Sequence, residues 1–313
     1  MTLLVALTWE PEPWVERFRH LLPDRKIVVT GEPFDRRNVR YAATWGPKPG
    51  SLSGLPLLEA IFSLGAGVDH LMAYPDLPEV PIIRVSHDDL THRMSEYVVM
   101  HCLMHLRDQI RYDAQQRERI WADEPSPPTA SDVRVGIMGF GILGQDAANK
   151  LKVMGFDVAG WSRTPKAVDG FTIYTGTDGL GPFLARTDIL VTLVPLTAET
   201  RGIVGRDLLR KLPRDGALGG PVLINPGRGG LQVETDILES LDDGTLRAAS
   251  LDVFETEPLP ADRPLWSHPQ VLISPHNAAT SAPDATAAYI AGQIRRHESG
   301  HAFQNVVDRH RGY

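Results

Sequence analysis

Three polar side chains in the second half of the chain have the types that hydride transfer to a carbonyl group needs. Arg228, Glu257 and His276 each follow a short apolar run. A ketone carbon accepts a hydride only if its oxygen receives a proton, which a histidinium can donate near neutral pH. A carboxylate on the other ring nitrogen favours the charged imidazole, and an arginine can bind the oxygens of a 2-oxoacid. Each residue alone has a structural explanation, and only the set predicts a catalytic site.

A glycine-rich turn indicates where a cofactor would bind. An apolar run at 133–138 leads directly into a G-x-G-x-x-G pattern at 139–144, and a helix-like segment follows as far as Met154. In this context the glycines permit a tight turn, close approach of a pyrophosphate and close packing of helix on strand. The alternative is a purely structural turn. The predicted dinucleotide contacts are Gly139, Phe140, Gly141, Ile142, Leu143 and Gly144.

The residues after the next predicted strand bear on which dinucleotide is bound. An NAD site normally has Asp or Glu about 20 residues past the glycines, to bind the ribose 2′-hydroxyl. This chain has no carboxylate there and carries hydroxyl and basic side chains that suit a 2′-phosphate, namely Ser162, Arg163, Thr164 and Lys166. The pattern predicts NADP(H) as the preferred cofactor and NAD(H) as the second. The alternative is a solvated turn with incidental charges.

The spacing of apolar runs from Val133 onward predicts a doubly wound α/β domain of six strands. Ligand sites in such sheets lie outside the carboxyl ends of the strands, so the three polar residues are expected at one crevice. The predicted strands are Val133–Met138, Asp157–Trp161, Asp188–Val194, Pro221–Asn225, Ala249–Val253 and Val271–Ser274.

The first third of the chain alternates apolar runs with helical segments such as Pro13–Leu22, which predicts a second parallel sheet. One or two long helices at Thr91–Trp121, followed by a proline-rich linker at Pro125–Pro128, lead into the second domain. The helix at Ser281–Ser299 follows the sixth strand and is expected to pack on the first domain, making it discontinuous. The predicted strands here are Leu3–Trp9, Lys26–Thr30, Tyr41–Trp45, Ala60–Leu64 and Pro81–Val85.

Small residues in the first domain could hold a carboxylate. The strand ending near Leu64 runs into Ala66, Gly67 and Val68, whose backbone N–H groups could cradle an anion. The alternative is a plain turn between strand and helix.

Composition argues against several other classes of protein. The net charge of −7 argues against non-specific nucleic-acid binding, and no apolar run reaches the ~20 residues that span a bilayer. The N-terminus lacks the features of a secretory signal, and Cys102 is the single cysteine, so we expect a cytoplasmic protein without a disulfide. No metal site is expected. The histidines between positions 87 and 105 have no supporting pattern of cysteines or carboxylates that would complete a metal site: His87, His92, His101 and His105.

With these motifs placed, the chain resembles the D-isomer-specific 2-hydroxyacid dehydrogenase family over nearly its whole length. The likeness rests on segments 139–144, 225–230, 252–258 and 275–276. It is greatest with the bacterial branch of glyoxylate/hydroxypyruvate reductases A, through segments 41–45, 65–70, 94–98 and 160–163. The resemblance implies a Rossmann-type nucleotide domain at 99–279. It also implies a smaller, flavodoxin-like substrate-binding domain formed by 1–98 and 280–313.

The resemblance also implies a role for each site residue. Arg228 would bind and orient a small 2-oxoacid, His276 would be the general acid, and Glu257 its carboxylate partner. Asp252 would lie near the nicotinamide. Other residues would line the cofactor groove: Val194, Pro195, Thr200, Asn225 and Pro226. Ala66 and Gly67 would hold the substrate carboxylate, and Trp45 would wall the pocket. The family implies a homodimer formed through the nucleotide domain.

Three alternatives remain open from the sequence. A related dehydrogenase could act on another acid, such as D-lactate, phosphoglycerate, formate or phosphite. A non-catalytic NAD(P)-sensing protein and a nucleotide-fold methyltransferase are further alternatives, and neither needs the set Arg228, Glu257 and His276.

Overall fold

In the computed structural model, residues 1–123 and 126–313 are described. The chain forms two compact units: unit 1 is residues 1–90 together with 281–313, and unit 2 is residues 91–280. The linker predicted at Pro125–Pro128 lies partly outside the described residues, since Pro125 is not among them. Residues 126–128 form neither helix nor strand.

Unit 1 is built on a sheet of five parallel strands in the order β2-β1-β3-β4-β5. Most strand residues are buried, which is typical of a parallel sheet covered on both faces. The order is that of flavodoxin-like sheets, so the predicted α/β class is confirmed for this unit. The strands are β1 (Thr2–Leu7), β2 (Lys26–Val29), β3 (Val39–Trp45), β4 (Ala60–Ser63) and β5 (Ile82–Ile83).

Three α-helices belong to unit 1: α1 (Glu12–Leu21), α2 (Asp69–Met72) and α9 (Pro283–Glu298). Helix α9 buries apolar residues that recur every three or four positions and therefore share one face: Ala287, Ile290, Ala291 and Ile294. This face packs in one core with residues of β1 and β3 and with Val15 and Phe18 of α1. The helix that follows the last strand of the chain thus completes the core around the first sheet.

Unit 2 contains a sheet of seven parallel strands in the order β12-β11-β10-β9-β6-β7-β8. The order from β8 to β11 is that of a Rossmann fold, with β12 added at the far edge. The strands are β6 (Arg134–Met138), β7 (Asp157–Ser162), β8 (Thr172–Thr175), β9 (Ile189–Thr192), β10 (Val222–Asn225), β11 (Ala248–Leu251) and β12 (Val271–Ile273).

The prediction of six strands in this sheet was wrong, because β8 was missed. It is an edge strand of four residues, none of them buried, so it lacks the continuous apolar run that marked the other strands. The α/β class itself is confirmed.

A long helix that packs on the core of unit 2 is followed, after a break at Asp108, by a shorter helix. The segment expected to form one or two helices forms two, interrupted at Asp108, whose φ of 53° no α-helix accommodates. The helices are α3 (Asp88–Leu106), most of which lies in this unit, α4 (Gln109–Glu118), α5 (Ile142–Val153), α6 (Gly176–Ala185), α7 (Arg206–Leu209) and α8 (Glu234–Asp242). Among the described residues, no helix combines the length and apolarity that crossing a bilayer requires.

Helix α3 also carries two buried histidines that share one serine. His101 Nδ1 and His105 Nε2 each lie 2.8 Å from Ser250 Oγ on β11. A hydroxyl has one proton and two lone pairs, so it can donate to one ring and accept from the other while both rings stay neutral. Burial lowers the pKa of His101 to about 4 and that of His105 to about 3. In the described part of the chain, no group of three potential ligand residues could hold a metal ion.

These histidines should make the protein sensitive to mild acid. In the unfolded chain both should titrate near 6.5, so between about pH 4 and 6.5 the unfolded state binds more protons than the folded state. The free energy of unfolding should therefore fall as pH drops through this window, by up to about 1.4 kcal/mol per pH unit for each histidine. Urea unfolding at several pH values measures the slope.

The variant His105→Gln removes one of the two proton sites and should make the slope shallower by about that amount per pH unit. His20→Gln, at an exposed position of α1, is the matched control and should keep the slope of the wild type. An unchanged slope in His105→Gln would contradict the assignment.

Candidate active site

The glycine turn lies between β6 and α5, at the carboxyl edge of the sheet in unit 2. Gly139 has φ +109°, and a Cβ there would lie 2.5 Å from the Leu193 carbonyl carbon, so only glycine fits. A Cβ on Gly144 would lie 2.2 Å from the Gly139 oxygen, whereas one on Gly141 would have no heavy atom within 4 Å. The Phe140 ring is buried, so only its backbone faces the turn. The close packing at Gly139 and Gly144 and the open space beside Gly141 leave room for a pyrophosphate next to the N-terminus of α5.

The basic segment after β7 lies next to this turn. Lys166 Nζ donates to the Phe140 carbonyl at 2.9 Å, which ties the segment to the glycine turn. The Ser162 hydroxyl donates to the Thr164 carbonyl at 2.7 Å, and Arg163 Nη1 donates to Glu199 Oε2 at 2.8 Å. The structure therefore places the four predicted 2′-phosphate residues at the strand end where the sequence put them.

The loop after β9 forms the other side of the turn and is fixed by one hydroxyl. Thr200 Oγ1 donates to the Pro195 carbonyl at 2.7 Å and accepts from the Thr197 N–H at 2.8 Å. Val194 is buried at the start of the loop. The predicted groove residues of this loop therefore form one local structure.

Asn225 ends β10 and organises the loop that carries Arg228. It is fully buried. Its Oδ1 accepts from Thr192 Oγ1 at 2.7 Å and from the Gly227 N–H at 3.1 Å. Its Nδ2 donates to the Arg228 carbonyl at 3.1 Å and to Gln232 Oε1 at 2.7 Å. The amide is occupied inside the protein, where it shapes the Arg228 loop.

Gln232 was missed by the sequence analysis. It is 4% exposed, and its Nε2 donates to the Val253 carbonyl at 2.9 Å. It therefore links the loop after β10 to the loop after β11, which carries Glu257. A polar residue between Leu231 and Val233 was the available signal, but sequence alone does not show that this segment is buried.

His276 and Glu257 form a short contact at the same edge of the sheet. His276 Nδ1 and Glu257 Oε2 are 2.6 Å apart, and Glu257 Oε1 accepts from the Phe254 N–H at 2.9 Å. Burial alone would raise the pKa of Glu257. The hydrogen bonds from His276 and Phe254, with the positive charges of His276 and Arg228, outweigh that effect and lower the pKa below its usual value. The positive charge of Arg228 is thus one of the causes that lower the pKa of the carboxylate that His276 contacts.

Asp252 holds the segment that carries His276. Its carboxylate is buried and accepts from Ser274 Oγ at 2.6 Å and from the N–H groups of Asn277 and Ala278 at 3.0 and 2.9 Å. The carbonyl of Asp252 accepts from the His276 N–H at 2.7 Å. His276 has φ +52°, a left-handed conformation that costs a non-glycine residue about 1–2 kcal/mol and that these bonds can hold in place.

A further link extends from Ser274 to helix α3. Tyr97 Oη lies 2.9 Å from Ser274 Oγ, and the Tyr97 ring packs 4.1 Å from the ring of His101, centroid to centroid. Burial raises the pKa of Tyr97, so its hydroxyl stays protonated. Tyr97 and Ser274 were missed by the sequence analysis. Ser274 at the end of a strand was a visible signal, but nothing in the sequence pairs it with Tyr97.

The remaining predicted residues lie together in unit 1. Trp45 ends β3, and its ring packs against that of His70 with centroids 4.4 Å apart and the ring planes tilted by 37°. A Cβ on Gly65 would lie 2.3 Å from the Trp45 ring, so the indole covers the turn that contains Ala66 and Gly67. The turn is braced by Ser63, whose Oγ donates to the Gly67 carbonyl at 3.0 Å.

Comparisons with known proteins identify the family that this chain resembles. The model of the D-isomer specific 2-hydroxyacid dehydrogenase NAD-binding domain matches residues 99–278. Glyoxylate/hydroxypyruvate reductase A of Escherichia fergusonii is 40% identical over 313 residues, which is 98% of this chain and 97% of that protein.

Solved structures extend the likeness to the whole chain. A probable 2-hydroxyacid dehydrogenase from Rhizobium etli, in complex with NADP, HEPES and tartaric acid, is 48% identical with a TM-score of 0.95, covering 100% of this chain and 99% of that one. The NADPH-dependent glyoxylate/hydroxypyruvate reductase of Sinorhizobium meliloti, in complex with NADP and sulfate, is 47% identical with a TM-score of 0.94, covering 100% and 99%.

The hydroxyl of Ser274 should contribute measurably to stability. Ser274→Ala removes one donor from the buried Asp252 carboxylate and the partner of Tyr97, so the free energy of unfolding should fall by about 1–3 kcal/mol. Ser274→Thr keeps the hydroxyl and should retain most of the stability. Ser267→Ala, at an exposed position, should change it by less than about 0.5 kcal/mol. Urea unfolding compares the variants, and equal values for Ser274→Ala and Ser267→Ala would rule the link out.

Proposed function

Since the chain belongs to the D-isomer-specific 2-hydroxyacid dehydrogenase family, we propose that it reduces glyoxylate and hydroxypyruvate with NADPH as the preferred cofactor. The members of this family are NAD(P)-dependent 2-hydroxyacid dehydrogenases and reductases. The observation that carries the proposal is the 2.6 Å contact of His276 Nδ1 with Glu257 Oε2, within the electrostatic influence of Arg228. A non-catalytic sensor would not need this pair.

The residues around the glycine turn fit the cofactor. Residues 139–144 would hold the pyrophosphate, because the space above Gly141 is open and the N-terminus of α5 attracts anions. Arg163, with Ser162, Thr164 and Lys166, would hold the 2′-phosphate. Val194, Pro195, Thr200 and the backbone at Asn225 and Pro226 would line the groove toward Asp252. When bound, NADPH supplies the hydride.

The residues of the catalytic set would then each have a distinct task. Arg228 binds the carboxylate and carbonyl oxygens of the 2-oxoacid. Glu257 accepts a hydrogen bond from His276 Nδ1 and fixes the orientation of the ring, which leaves Nε2 to donate a proton to the carbonyl oxygen. Asp252 keeps His276 in its left-handed conformation.

Unit 1 would contribute its own contacts to the substrate. The N–H groups of Ala66 and Gly67 bind it, and Trp45 limits the pocket to small acids. This assigns substrate binding to 1–98 with 280–313 and dinucleotide binding to 99–279.

The exposed end of the α4 segment supports a homodimer formed through the nucleotide domain. Ile120 is 50% exposed and Trp121 fully exposed. Adjacent apolar side chains that are exposed together are typical of an interaction surface.

The substrate assignment is tested by steady-state kinetics with glyoxylate, hydroxypyruvate and pyruvate, following the absorbance of the reduced nicotinamide. The proposal expects the highest kcat/KM with glyoxylate or hydroxypyruvate and NADPH. Replacing His276 with Gln should lower kcat about 10²- to 10⁴-fold, because the proton donor is lost.

NADPH binding, measured by fluorescence titration, should be nearly unchanged in His276→Gln. His301→Gln, at an exposed position, is the matched control and should keep full activity. Near-normal turnover of His276→Gln would show that another group is the acid.

Arg163 tests the cofactor assignment. Arg163→Ala should weaken NADPH binding about 10- to 100-fold, since a hydrogen-bonded charge pair with the 2′-phosphate is lost. NADH binding should change far less, and Arg210→Ala, an exposed arginine at the end of α7, should affect neither cofactor. An equal loss for both cofactors would contradict a 2′-phosphate site.

A further inference from the structure

The structure brings a carboxylate to the strand end where the sequence shows none. None of residues 163–168, directly after β7, is acidic, yet Glu199 reaches Arg163 from the loop after β9, with 2.8 Å between Oε2 and Nη1. In NAD sites a carboxylate at this end of the second strand accepts from the ribose 2′-hydroxyl. Glu199 therefore stands where a group that distinguishes the two cofactors is expected.

The sheet explains how a residue 36 positions away in sequence reaches this place. Strand β6 lies between β7 and β9, and the register aligns Met138 with Trp161 on one side and with Thr192 on the other. The loops after β7 and β9 thus flank the glycine turn, and the ion pair joins them across it.

The position of Glu199 is set by its own loop. The next residue, Thr200, closes the loop through Pro195 and Thr197, as described above. The Glu199 side chain remains 72% exposed and that of Arg163 40% exposed. The backbone is therefore held in place while the carboxylate itself lies largely in solvent.

We propose that Glu199 reduces the discrimination of this enzyme between NADPH and NADH, an inference that rests on the function proposed above. Its carboxylate competes with the 2′-phosphate for the Arg163 guanidinium and repels the phosphate charge. Toward NADH the same carboxylate offers an acceptor for the 2′-hydroxyl, so both effects shift the ratio of affinities in one direction.

The size of the effect follows from exposure. An exposed ion pair changes an equilibrium constant by about fivefold at most, and salt screens it. Glu199 is accordingly a residue that tunes the preference, whereas Arg163 creates it.

Dissociation constants of NADPH and NADH provide the test, because fluorescence titration needs no turnover. The proteins are the wild type, Glu199→Gln, Arg163→Ala and the double variant. Glu199→Gln should raise the ratio Kd(NADH)/Kd(NADPH) about two- to fivefold at low ionic strength, and less at high salt. In the Arg163→Ala background the gain in NADPH affinity should shrink, since the competed guanidinium is gone. Asp207→Asn, an exposed carboxylate of α7, controls for the change in net charge and should leave the ratio unchanged.

The outcomes separate this inference from the proposed function. If Arg163→Ala lowers the ratio while Glu199→Gln leaves it unchanged or lowers it, the role of Glu199 is overturned and the 2′-phosphate site stands. If Arg163→Ala leaves the ratio unchanged, both fail. A protein that binds both cofactors but reduces no 2-oxoacid would refute the proposed function alone, and the ratio would still decide the role of Glu199.

Discussion

The geometry of the candidate site depends on one buried carboxylate. Asp252 lies at the end of β11 with almost no exposure, and a buried charge is tolerated only when hydrogen bonds satisfy it. The donors come from Ser274, Asn277 and Ala278, which are the residues around His276. Satisfying the charge therefore fixes the path of this segment. The left-handed backbone of His276 persists because the surrounding bonds determine it.

The parallel sheet places strand ends that are far apart in the sequence next to one another. Asn225, Leu251 and Ile273 end three neighbouring strands and are aligned by their register. Every loop that follows them leaves the same edge, so the loops that carry Arg228 and His276, residues far apart in sequence, start side by side. Asn225 and Gln232 then join two of these loops by hydrogen bonds through the interior. The buried strands fix where each loop begins. The side-chain amides of Asn225 and Gln232 then fix the direction in which the loop continues.

The strand ends beside the glycine turn are held by a different kind of interaction. Around Asp252 the partners are buried and hydrogen bonds determine the structure. At Arg163 and Glu199 the side chains are 40% and 72% exposed, and contact with solvent weakens their Coulomb interaction. One edge of a single sheet thus combines a hydrogen-bonded segment that holds His276 with a solvent-exposed ion pair between Arg163 and Glu199.

Much of this arrangement follows from the sequence. Apolar runs of buried strands, the glycine turn and the polar residues at the strand ends identify the α/β class and the family, and they predict the set Arg228, Glu257 and His276. These signals are local and depend on period and residue type. The edge strand β8 was not predicted, because none of its residues is buried. The contacts of Tyr97 with Ser274, of Gln232 with Val253 and of Glu199 with Arg163 were decided only by the tertiary structure. Each joins residues from different elements, and a sequence carries no local record of which loops a folded sheet brings together.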